Sequence, residues 1–192
     1  MINNFQRKEY YMQNDVLRIV QAMDFSARKH VGQKRKGENE EPYFNHVSEV
    51  ARIIGENTEG PDTDLIIAGL LHDTIEDTNT SYNELVDNFG EVVADLVEEV
   101  TDDKLLEKHV RKQLQIDNAP KKSDQAKQLK IADKISNIHS ILNAPPTDWT
   151  IERKLEYIGW AKEVVAGCRG VNTKLDSLFE ETYYEAIREF GE

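Results

Sequence analysis

Leu65-Ile66-Ile67-Ala68-Gly69-Leu70-Leu71-His72-Asp73-Thr74-Ile75-Glu76-Asp77 runs from an apolar segment into four ionisable side chains within six residues. Pro61-Asp62 opens the segment as a helix start. Leu65, Ile66, Ala68, Gly69, Leu70 and Leu71 are apolar nearly all round, and such a helix belongs inside a core. An adjacent imidazole and carboxylate at its end therefore fall where burial is expected. An unpartnered buried carboxylate costs on the order of several kcal/mol, so a partner is required. A metal ion satisfies both groups together; polar capping of a helix end is the blander account. Glu76 follows His72 by four residues and Asp77 follows Asp73 by four, so a helix continuing through would put them on one side.

Outward from this segment the chain reads as helical. Val16, Ile19, Val20, Met23, Phe25 and Ala27 make a near-helical stripe over 13–31, and Val47, Val50, Ala51, Ile53 and Ile54 another over 43–57. Ser81-Tyr82-Asn83-Glu84 has the spacing of a capping box. Gly90 ends that short helix, and 91–100 begins the next. Helices are expected at about 123–142, 151–167 and 172–190, with Pro145-Pro146 as the break between the first two. Residues 1–12 and 102–122 have no decisive pattern. No run alternates as a strand does, and no repeat or linker divides the chain. The expectation is an all-α protein with one domain over 1–192.

Two further places carry ionisable groups in apolar surroundings. His46 begins a helix in Tyr43-Phe44-Asn45-His46-Val47; alone, it reads more readily as a satisfied polar histidine than as a ligand. Lys130, Asp133 and Asn137 share one helix face, while Ile131, Ala132, Ile135 and Ile138 require much of that helix to be buried. Mixed imidazole and carboxylate donors suit Mn²⁺ or Fe²⁺ better than Ca²⁺. Coordination left open to water would generate a nucleophile.

Composition narrows the function. With 39% hydrophobic and 31% charged residues the chain is an ordinary globular protein, and no apolar run approaches the roughly 18–20 residues of a membrane span. The polar N-terminus lacks the apolar stretch of a signal peptide, and one cysteine, Cys168, suits a reducing cytoplasm. A formal charge of −12 argues against broad nucleic-acid or anionic-membrane binding. Yet more than half of the 24 Lys and Arg residues fall in three windows, 28–36, 104–112 and 121–134. Each could be a solvated face; three windows flanking the ionisable groups favour a local anion site. No Gly-rich phosphate loop is present, so ATP-driven chemistry is not indicated.

His46, His72-Asp73 and Asp133 together resemble the H…HD…D pattern of the HD superfamily of phosphohydrolases. Phe25-Ser26-Ala27-Arg28-Lys29-His30, Leu71-His72-Asp73-Thr74-Ile75-Glu76-Asp77, Val97-Glu98-Glu99-Val100-Thr101-Asp102-Asp103-Lys104 and Leu129-Lys130-Ile131-Ala132-Asp133-Lys134 are more specific. With Tyr43-Phe44-Asn45-His46 they are similar to the hydrolase domain of bifunctional alarmone synthetase–hydrolases and to the stand-alone small alarmone hydrolases, over about 15–185. That resemblance implies a compact all-α HD bundle with a central metal pocket. It implies hydrolysis of the 3′-diphosphate of guanosine tetra- or pentaphosphate to GDP or GTP and pyrophosphate, with one divalent metal, usually Mn²⁺. His46, His72, Asp73 and Asp133 match the family's metal ligands, and Glu76 with Asp77 its acidic pair beside the attacking water. Arg35, Lys36, Lys108, Asn137 and Tyr157 match substrate contacts. Val47 departs from the proline common after the histidine, Arg153 and Lys154 have no clear counterpart, and the first twelve or so residues are unmatched. Two other readings are open: removal of the 2′-phosphate of NADPH or hydrolysis of another phosphorylated nucleotide, which the pocket residues do not exclude, and a catalytically silent nucleotide sensor, against which the six intact metal and acidic positions argue. The implied partner is a small guanosine polyphosphate; oligomeric state is not legible in the sequence.

Overall fold

Side-chain caps mark where several helices start. Asp62 accepts from the Leu65 N–H, Ser81 from Glu84, Ser123 from Ala126, Thr150 from Arg153, and Asn172 from Lys174 and Leu175. Only half of the expected capping box forms, because Glu84 turns its carboxylate to Lys29 at 2.8 Å. The computed structural model describes residues 4–58 and 62–191, with side chains from residue 14 onward. Among the described residues ten α-helices follow in order: α1 (Asn4–Lys29), α2 (Phe44–Asn57), α3 (Thr63–Leu71), α4 (Thr74–Asp77), α5 (Tyr82–Phe89), α6 (Glu91–Val100), α7 (Lys108–Asn118), α8 (Asp124–Asn143), α9 (Ile151–Ala166) and α10 (Thr173–Phe190). A 3₁₀ turn, Ala119–Lys121, joins α7 to α8. No strand occurs among the described residues; one isolated bridge, Lys34 to Pro42, pins the loop between α1 and α2.

α8 is the axis of the bundle. Leu129, Ile131, Ala132, Ile135 and Ile138 are all buried, and α2, α3, α6, α9 and α10 pack around them. α3 is covered by α1, α2 and α6, with Leu65, Ile67 and Leu71 fully buried. Each such side chain contributes about 1.5–3 kcal/mol by leaving water. That burial fixes the end of α3 deep in the molecule, beside the N-terminal turn of α2 and the middle of α8.

One expectation changes. The stripe over 13–31 divides, because α1 packs mainly on α3: Ala22 and Phe25 enter the core, while Val16, Leu17, Val20 and Met23 stay exposed. The apolar helix ends at His72-Asp73, as its sequence reads, and does not continue through 72–77. The cause is local. His72 Nδ1 takes the Gly69 carbonyl at 2.9 Å and Thr74 Oγ1 takes that of Leu71 at 2.6 Å, the acceptors a continuing helix would use. Asp73 sits at φ −98°, ψ 0°, and α4 restarts from it.

Candidate active site

The break in α3 turns His72 and Asp73 toward α2 and α8. There the ligand atoms of His46, His72 and Asp133 lie within 4.8 Å of one another, all three residues being buried. His46 Nε2 is 3.3 Å from Asp133 Oδ1 and 3.6 Å from Asp73 Oδ2. His72 Nε2 is 3.1 Å from Asp73 Oδ2 and 3.8 Å from Asp133 Oδ1. Two imidazoles thus face two carboxylates, drawn from three helical segments that sequence separates widely.

The donors fit a divalent metal. Two ligand atoms each about 2.1 Å from one ion sit roughly 3.0–3.4 Å apart, close to the spacing found here. The His72 imidazole donates its Nδ1 proton to the Gly69 carbonyl, so Nε2 is the ring atom that faces the two carboxylates. That Nε2 is buried and has no aligned hydrogen-bond partner. The local field also calls for a cation. Burial disfavours the His72 imidazolium, yet the Asp73 and Asp133 carboxylates push its pKa up to about 10. Asp73 and Asp133 lie well below the usual carboxylate range: burial opposes this, and His72 and Lys134 respectively outweigh it.

Neighbours orient the carboxylates. Asp133 accepts from Asn137 Nδ2 at 2.6 Å and from Lys134 Nζ at 2.8 Å, and Asp73 from Tyr43 Oη at 2.7 Å. Glu76 Oε2 accepts from the Asp102 N–H at 3.1 Å, with Arg111 Nη1 3.7 Å from Oε1. Burial raises the Glu76 pKa; the Asp102 bond opposes the shift and the Asp73 charge adds to it. Asp77 is paired with Lys104.

A cavity of 350 Å³ opens over this cluster and runs into a second of 380 Å³. Lys36, Lys108, Asn137 and Tyr157 line the first together with His46, His72, Asp73, Asp133, Glu76 and Asp77. Arg35 lines the second but not the first, and donates to Asn137 Oδ1 at 2.8 Å and to Ser140 Oγ at 3.0 Å. Tyr157 centres an aromatic wall, 5.7 Å from the Trp149 ring and 5.3 Å from Trp160. Burial pushes its phenol up to about 12, which keeps it a hydrogen-bond donor.

A model of the HD domain matches residues 22–161. The chain belongs to the HD domain family. Within that family it is similar to the guanosine-3′,5′-bis(diphosphate) 3′-pyrophosphohydrolase MESH1 of Xenopus tropicalis, 45% identical over 88% of this chain and 96% of the relative. The MESH1 protein of Homo sapiens is 42% identical over 90% and 96% respectively. A solved structure, of a metazoan ortholog of SpoT that hydrolyzes ppGpp, superposes with a TM-score of 0.84 at 42% identity, covering 88% of this chain and 94% of that one. All three agree with the resemblance carried by the motifs.

Several groups in this HD domain pocket had no sequence signal of their own. Arg111 and Lys112 reach it from α7, Trp149 from the loop before α9, and Arg153 and Trp160 from α9. Arg153 stacks 4.7 Å over Trp149, whereas Lys154 turns away onto the Phe190 ring. Lys112 stands 4.8 Å over Trp160, whose Nε1 donates to the Lys112 carbonyl at 3.1 Å. The basic window at 104–112 hinted at Arg111 and Lys112; nothing in the sequence singled out Arg153 or the two tryptophans.

Proposed function

We propose that this chain is a cytoplasmic, Mn²⁺-dependent hydrolase that cleaves the 3′-diphosphate of guanosine tetra- or pentaphosphate to release pyrophosphate with GDP or GTP. The observation that carries the proposal is the buried His46–His72–Asp133 cluster opening into a cation-lined cavity. The two MESH1 relatives, matched over nearly their full length, support it. His46, His72, Asp73 and Asp133 would hold the metal, which when bound supplies a Lewis acid and lowers the pKa of water beside the reacting phosphate.

The chain's own groups do the rest. Glu76, made more basic by burial and by neighbouring negative charge, accepts the proton of the attacking water. Asp77, tied to Lys104, holds the second oxygen position of the acidic pair. Lys36 and Lys108 neutralise phosphate oxygens as point charges, and Asn137 donates to substrate from a side chain that Arg35 fixes in place. Tyr157 offers a ring for stacking and a phenolic donor.

The test is direct. Purified protein with Mn²⁺ and guanosine tetraphosphate should yield GDP and pyrophosphate on anion-exchange chromatography, and chelator should stop the reaction. Release of single phosphates, or turnover of NADPH in place of the guanosine polyphosphate, would overturn the assignment.

A further inference from the structure

The two histidines of the cluster are held by unlike partners. His72 Nδ1 meets a main-chain carbonyl, which can only accept, so the backbone alone decides where its proton sits. His46 Nδ1 meets a hydroxyl, Ser136 Oγ at 2.9 Å, which can accept or donate. Left to itself that hydroxyl could turn its proton toward His46. The imidazole proton would then move to Nε2, the atom facing Asp73 and Asp133, and Nε2 could not serve as a ligand.

Glu49 removes the ambiguity. Ser136 Oγ is 2.6 Å from Glu49 Oε2. Glu49 lies one turn along α2 from His46, and its other oxygen accepts from His139 Nδ1 at 2.9 Å, with Arg52 3.7 Å away. Half-burial opposes ionisation of Glu49, but the bonds from His139 and Ser136 hold its carboxyl below the usual range. An ionised carboxylate only accepts, so the single Ser136 proton goes to Glu49 and the Ser136 oxygen must accept from His46. Ser136 is fully buried and His46 is 3% exposed, so among the described residues no other protein group competes for these bonds.

We infer that Glu49 is a positioning residue for the metal centre: through the Ser136 hydroxyl it keeps the His46 proton on Nδ1 and the Nε2 lone pair in the site. It sets metal affinity without reaching the metal. The inference rests on the metal reading proposed above. Groups that orient a histidine ligand from behind alter metal affinity by about 10–100-fold when removed.

Glu49→Gln separates this role from a mere link between α2 and α8. Glutamine keeps the size; with its oxygen held by the His139 N–H, its amide nitrogen faces Ser136, donates to that oxygen and frees the hydroxyl to point at His46. Mn²⁺ titrations followed by electron paramagnetic resonance should show affinity about 10–100-fold weaker than in the wild type. In the metal-free protein, ¹⁵N imidazole resonances of His46 should move from the Nδ1–H to the Nε2–H form, with little change in melting temperature. Ser136→Ala should weaken Mn²⁺ in the same direction, and the Mn²⁺ concentration giving half-maximal turnover should rise in both variants. Wild-type affinity and unshifted His46 resonances in Glu49→Gln would overturn the inference and leave the metal site standing. A wild type that binds no Mn²⁺ would overturn both.

Discussion

Glu76 and Asp77 are neighbours in sequence, yet the structure treats them differently. Glu76 is half-buried, receives one main-chain N–H and has Arg111 at 3.7 Å, while its pKa is raised by burial. Asp77 is tied to Lys104. A base needs a proton affinity near the working pH, so the group pushed upward is the better candidate to deprotonate water, and the ion-paired one to orient it. Glu76→Gln is therefore expected to lower kcat by about 10²–10⁴-fold while calorimetric Kd values for Mn²⁺ and nucleotide hold. Asp77→Asn should lose less. An unchanged kcat in Glu76→Gln would place the base elsewhere, and loss of metal would make Glu76 a support of the cluster. At this scale the sequence is generous with groups that are costly to bury: His72, Asp73 and Asp133 announce themselves because their neighbours are apolar. It is silent on Tyr43, which holds Asp73 at 2.7 Å, since an aromatic residue before a helix reads equally well as packing.

The elements were legible where one face had a core to meet. α2, α6, α8, α9 and α10 lie within a few residues of their expected spans because each carries a buried apolar stripe. α7 was not legible, and none of its residues is buried. It is positioned by contacts to α9 and the 3₁₀ turn, and its cations face the cavity, so no hydrophobic period marks it. The end of α3 after Leu71 was legible where the apolar run stops; what makes it a sharp break is that two side chains, His72 and Thr74, take the carbonyls that would have continued the helix. Just before that break, α2 and α3 come very close. A Cβ at Gly69 would lie 3.0 Å from Ile54 Cδ1 and 3.1 Å from Ala51 Cα, and the second of these is backbone that cannot rotate aside. α2 carries His46 and α3 leads to His72, so separating them strains the cluster as well as the core. Gly69→Ala should cost about 1–3 kcal/mol of stability, the usual penalty of overpacking, and weaken Mn²⁺ binding in parallel. Thermal unfolding with and without Mn²⁺ measures both; a melting temperature equal to wild type would show that the helices can part freely.

For the whole molecule, an overall charge of −12 coexists with a pocket that gathers Lys36, Lys108, Arg111, Lys112 and Lys134 around buried carboxylates. Such a centre makes stability depend on pH in a way metal should abolish. In the metal-free protein, burial opposes the His72 imidazolium, but Asp73 and Asp133 raise its pKa from 6.5 to about 10. A pKa raised on folding stabilises the native state fully below the unfolded value, and that share is lost as pH climbs from 6.5 toward about 10. Asp73 and Asp133 are shifted the opposite way, so their contribution is present above the ordinary value of 3.8 and fades as pH falls through it. Metal-free protein should therefore be most stable between these limits and soften on the alkaline side. With His72 as the ligand proposed above, bound Mn²⁺ would replace its proton, so binding should release protons and strengthen as pH rises. At a hundred times its Kd the metal adds about 2.7 kcal/mol, which for a chain of this size is roughly 5–10 °C. Melting temperatures recorded from about pH 5 to about pH 9, with chelator and with Mn²⁺, should diverge steadily toward the alkaline end. Parallel curves would mean that His72 is already neutral in the metal-free fold, and that the two carboxylates find their positive partner in Lys134 instead.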